Sequence, residues 1–155
     1  MMEHKPLAEL QAVADVKPIE TSISMSREHR LSRWIGLLKA DPERKLRSLH
    51  EIEHLTPAAR RQCRADDSPL SVAYDDPVLR SAGLKSDRIG DCVDFFELSD
   101  RQIHHAFCSC HVGIRLSATA AAQRLRRVLR VDAFRGKVTA ALWRGMQAMS
   151  PKPST

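Results

Sequence analysis

The chain predicts an all-α protein: a compact bundle of about seven short helices with a mobile N-terminal arm and a basic C-terminal helix. Apolar residues recur at steps of three and four through most of the sequence after residue 26. Helix-start signals, a Ser, Thr or Asp followed by Pro, recur at Asp41-Pro42, Thr56-Pro57, Ser68-Pro69 and Asp76-Pro77. No stretch alternates apolar and polar residues strongly enough to demand a sheet.

Residues 1–25 hold Pro6 and Pro18 among mixed polar residues and read as a mobile arm, residues 26–149 as one helical domain, and residues 150–155 as a disordered tail. Ser26 is the expected cap of a helix whose apolar set is Leu31, Trp34, Ile35, Leu37 and Leu38. After Asp41-Pro42 a second helix is expected, with Leu46, Leu49 and Ile52 on one face. Thr56-Pro57 opens a short, exposed, arginine-rich helix running to Cys63. The stretch from Pro69 to Gly83 reads as two short helices with a bend at Asp76-Pro77. Ile89, Val93, Phe95, Phe96 and Leu98 form the richest apolar window and the expected centre of the core. Ser99 caps a helix ending at Gly113, and Ser117 caps a long one with Ala121, Leu125, Val128 and Leu129 as its buried stripe. That helix has the pattern to continue to Leu142 and Trp143, against which Gly136 and Gly145 weigh about 1 kcal/mol each.

Charged residues make up 28% of the chain and the hydrophobic set 43%, which places it among folded globular proteins and excludes global disorder. No apolar run approaches the roughly 20 residues needed to cross a bilayer. Glu3, Glu9 and Asp15 interrupt the N-terminus, so no secretory signal is read there and a cytoplasmic location is expected. Four cysteines are too few for a disulfide scaffold at this length, and reduced thiols are expected. On a continuous helix Cys108 and Cys110 point about 200° apart, which disfavours a bridge between them.

The densest chemistry is the run His104, His105, Cys108, Cys110 and His111. On one unbroken helix Ile103, Phe107, Cys110 and Ile114 share an apolar face, which makes Cys110 a small core residue. His104, Cys108 and His111 share a second face, and neutral imidazoles with a thiolate suit zinc. The fourth ligand is then water or a residue from elsewhere, with Cys92, the nearest in sequence, ahead of Cys63 and His54. Packing of these side chains at a half-buried helix boundary, with His104 and His111 hydrogen-bonded to backbone or carboxylates and Cys108 inert, is the reading favoured over the metal. A reactive Cys108 activated by His104 or His111, with Asp100 orienting the ring, is a third reading, without a glycine-rich turn to expose the nucleophile. A c-type haem attachment is disfavoured because one residue, not two, separates the cysteines.

The net charge of +6 conceals an asymmetry. Residues 101–155 carry ten basic groups against Asp132 alone, while the first hundred residues are net acidic. A basic surface formed by Arg115, Thr119, Gln123, Arg124, Arg126, Arg127 and Arg130 is therefore expected to bind DNA or an acidic protein surface. RNA is disfavoured by the absence of an aromatic platform. A membrane-surface role for the basic helix and a homodimer through Leu142 and Trp143 are further options. The expected class is a small non-enzymatic regulator or adaptor, with a metal-binding or thiol-redox-responsive protein as the alternative.

Residues 98–130, from Leu98-Ser99-Asp100-Arg101-Gln102-Ile103 through Ala106 to the arginine-rich second helix, resemble the helix-turn-helix of sigma-factor region four. That resemblance implies DNA contact through Thr119, Gln123, Arg124 and Arg127. The family's turn is about three to four residues, and the segment from His111 to Leu116 is longer.

Overall fold

A computed structural model describes residues 24–50 and 52–148. Most of the expected arm and all of the expected tail lie outside these residues. Ser26 accepts a hydrogen bond from the His29 N–H and starts α1, Arg27–Ala40, whose Leu31, Trp34, Ile35 and Leu38 are buried as the spacing predicts. Pro57–Gln62 forms α2, which buries no residue of its own. Pro69–Asp75 and Pro77–Ser81 form α3 and α4, hinged at Asp76, which caps the second of them. Ile89–Phe96 forms α5. Asp100–Phe107 and Ser109–Val112 form α6 and α7, and Ala118–Ala148 forms α8. These eight helices among the described residues make the fold all-α.

The core is built around Trp34. Its ring stacks on Phe96 at 4.4 Å, tilts against Phe107 at 5.5 Å, and its Nε1–H donates to the Pro69 carbonyl at 2.8 Å. The expected core window is buried at Ile89, Val93, Phe95, Phe96 and Leu98. α1 packs along the first half of α8, and also against α3 and α5.

The helix expected after Asp41-Pro42 is not there. Lys45–Arg47 is a strand, β1, paired antiparallel with β2, Arg115–Ser117, with Leu46 opposite Leu116. Leu46, Leu49 and Ile52 are all buried, as their apolar character requires, but Ile52 sits in a 3-10 turn, Ile52–His54. Spacing alone does not separate a helix from an extended segment here. The decision falls to backbone partners far along the chain: Ser48 N donates to Ile114 O at 3.1 Å and Leu49 N to Phe107 O at 2.8 Å.

The helix expected from Ser99 to Gly113 is broken at Cys108. Ser99 and Gln102 form a reciprocal capping box at its start. Cys108 then takes an extended conformation and bridges to Leu49, because Ser109 N donates to Leu49 O at 2.9 Å. Gly113, at φ +76° and ψ −178°, turns the chain from α7 into β2, a conformation suited to glycine. Helix α8 runs through both Gly136 and Gly145 to Ala148.

Candidate metal centre and basic face

The break at Cys108 rearranges the His/Cys run. Cys108 is fully buried and Cys110 is exposed, the reverse of the expectation from a continuous helix, in which Cys110 joins the core. Ile114, placed on the same expected core face, is 73% exposed. The kink also cancels the 200° separation of the two thiols, which lie 3.0 Å apart as free cysteines.

His104 in the last turn of α6, Cys108 at the kink and Cys110 in α7 meet Glu53 from the 3-10 turn. One donor atom from each lies within 4.8 Å of all the others. Cys110 Sγ is 3.6 Å from His104 Nε2, and the Cys108 thiol donates to Glu53 Oε2 at 3.3 Å. The other nitrogen of His104, Nδ1, is 3.3 Å from His111 Nε2, so the ring is held from behind while its Nε2 faces the thiols. His105 and His111 complete a cluster of three imidazoles, their rings 4.4 Å apart.

The electrostatics favour ligation at His104 and Glu53 and oppose it at Cys108. Burial, and then the neighbouring imidazoles His111 and His105, hold His104 below the ordinary histidine range, favouring the neutral ring that can ligate. The Glu53 carboxyl is held low by its own backbone N–H and by the Cys108 thiol. Burial pushes the Cys108 thiol up to about 12, with the hydrogen bond to Cys110 adding to it. Without a cation Cys108 stays protonated at neutral pH, which opposes its use as a nucleophile. No side-chain hydrogen bond among the described residues joins the Asp100 carboxylate to the His104 ring, whose Nδ1 faces His111 instead, so the orienting partner of the thiol-enzyme reading is missing.

Of the expected ligands, His104 and Cys108 lie in the four-donor group. His111 stands behind His104. Cys92 lies apart, buried in α5 with its thiol directed to Ser86 O at 3.7 Å and its ionisation opposed by that burial and by Asp87 and Asp91. Cys63 is directed to Ala59 O at 3.5 Å, and His54 is an exposed neighbour of Glu53. Glu53 and Cys110 escaped sequence reasoning for different reasons. A lone carboxylate 55 residues from Cys108 gives no local signal, and Cys110 was read on a helix that the fold breaks.

The expected basic surface divides into tied and free residues. Thr119 donates to Pro42 O at 2.9 Å, and Arg124 donates to His105 O at 2.8 Å and His111 O at 3.3 Å. Arg115, Gln123, Arg126, Arg127 and Arg130 are exposed. The resemblance to a helix-turn-helix meets a difference in connection: α7 and β2 stand between α6 and α8 where that motif has a tight turn. Among the described residues no helix is long and apolar enough to cross a membrane. No protein family, no curated protein and no solved structure matches this chain. The four-donor group and the basic face stand on their own chemistry.

Proposed function

We propose that this is a small, non-enzymatic, cytoplasmic adaptor that holds one zinc ion through Glu53, His104, Cys108 and Cys110 and meets its partner through α8. The observation that carries the metal reading is the convergence within 4.8 Å of four possible zinc donors, three from one short stretch and Glu53 from a distant turn. Two thiolates and an imidazole select a borderline ion over magnesium or calcium, which take oxygen ligands. Four protein donors fill a tetrahedral shell and leave no open position for substrate, so a structural ion is favoured over a catalytic one. Metal binding requires the thiols in their deprotonated form, and reducing conditions such as those of the cytoplasm keep them available as ligands. The ion would lock the α6–α7 kink to the turn at Glu53, next to the β-pair from which α8 departs.

Elemental analysis of the untagged protein tests this, together with cobalt(II) substitution. One zinc per chain is expected, and the cobalt form should show the intense visible bands and sulfur-to-metal charge transfer of a tetrahedral thiolate site. Both signals should diminish in Cys108→Ser and Cys110→Ser. A protein without metal, or a cobalt spectrum indifferent to both substitutions, overturns the reading.

A further inference from the structure

A cleft of about 1000 Å³ lies between α6 and the middle of α8. Its apolar floor includes Leu98, Ala106 and Val128, and its walls carry Arg101 from α6 and Arg127 and Arg135 from α8. The acids nearby are occupied. Asp132 pairs with Arg27 at 2.6 Å and accepts from Gln102, and Glu97 is bound by Arg30. Arg101, Arg127 and Arg135 have no carboxylate partner among the described residues.

From the cleft the apolar surface continues outward along α8. Val131, Phe134, Val138 and Leu142 follow at steps of three and four on one helical face, and they are 49%, 68%, 41% and 64% exposed. The same face carries Arg127 and Arg135 by the helical period. A concave apolar floor with unpaired guanidiniums on both walls, running into an exposed apolar stripe, is complementary to a ligand with interleaved carboxylates and apolar side chains.

We infer that the cleft and the outer half of α8 form the docking site for an acidic amphipathic helical segment of another protein. The inference deepens the adaptor reading of α8 and does not depend on the zinc ion. Self-pairing of α8 with the α8 of a second copy fits poorly, because the helix carries seven basic residues and its single acid, Asp132, is already paired. DNA would satisfy the guanidiniums and leave Phe134 and Leu142 in water. A flat anionic lipid surface would cover α8 but not reach into the cleft wall at Arg101.

The probe is a fluorescein-labelled designed peptide of roughly 20 residues, long enough to form an isolated helix, with glutamates and leucines interleaved at helical spacing. Duplex DNA and phosphatidylglycerol vesicles serve as competitors. The peptide should bind in preference to both, with affinity falling as salt rises. Arg101→Glu, Arg135→Glu and Phe134→Ser should each weaken it by roughly tenfold. These side chains are exposed, so circular dichroism and metal content should be unchanged in the variants. Peptide binding with no bound metal would uphold the inference while the zinc reading fails. The inference is overturned if the peptide does not bind, if the variants bind it equally well, if DNA or vesicles displace it, or if sedimentation shows a dimer that Phe134→Ser dissolves.

Discussion

A zinc ion shared by Glu53 and Cys108 would close a loop of 55 residues, and the size of that loop sets the stability the ion supplies. In the chain-entropy treatment of cross-links, closing such a loop disfavours the unfolded chain by about 4 kcal/mol at 25 °C. For a domain of this size that corresponds to a rise in Tm of roughly 8–16 °C. The three donors besides Glu53, namely His104, Cys108 and Cys110, lie within one short stretch and can chelate the ion in the unfolded chain as well, which contributes little to the difference. Glu53→Gln should therefore retain bound zinc while losing most of the zinc-dependent gain in stability. The assay is urea unfolding of the wild type and of Glu53→Gln, each with zinc and with chelator. A variant that keeps the full gain, or a wild type whose midpoint does not respond to chelator, refutes the assignment of Glu53 as the ligand that closes the loop.

Other consequences can be checked by the same unfolding measurements. Trp34→Phe removes the indole N–H that donates to Pro69 O and part of a fully buried ring packed on Phe96 and Phe107, and a loss of about 2–3 kcal/mol is expected. The two helix glycines should respond oppositely to alanine. Gly36→Ala enters open space in α1 and should stabilise by about 0.4–1 kcal/mol, whereas at Gly90 a new Cβ would lie 3.0 Å from both Cβ and the carbonyl oxygen of Arg61, so Gly90→Ala should destabilise despite its better helix propensity. Equal effects at the two sites would count against the α2–α5 contact. Asp76 accepts two bonds from Arg33 and caps α4 at Leu79 N, and the Arg33 guanidinium holds its carboxyl below the usual carboxylate range. Its folded pKa is depressed, so its contribution is fully present above the unfolded value of about 3.9 and is lost as pH falls through the lower folded value. The stability gap between wild type and Asp76→Asn should accordingly be constant near neutrality and close below about pH 4. Asp76→Ala should cost about 1 kcal/mol more than Asp76→Asn at all pH values, since asparagine retains the cap.

The sequence by itself determined most of the helical scaffold, because those signals are local. Ser26, Thr56, Ser68, Asp76 and Ser99 cap helices with their own side chains, and the apolar rhythm of Leu31, Trp34, Ile35 and Leu38 names the buried face without reference to anything distant. It also determined where to look for chemistry, since His104 and Cys108 stand in the four-donor group and the arginines of α8 stand on its surface. The tertiary structure alone decided the rest. Leu49 draws Phe107, Cys108 and Ser109 into a bridge across the chain, and that pair of backbone hydrogen bonds breaks a helix whose local pattern was unbroken. Breaking it exchanges the roles of Cys108 and Cys110, brings their sulfurs together and meets a carboxylate from 55 residues away. Helical periodicity describes a residue's neighbours along one helix, whereas a ligand set is a set of distances across several segments, and only packing of the whole chain fixes those.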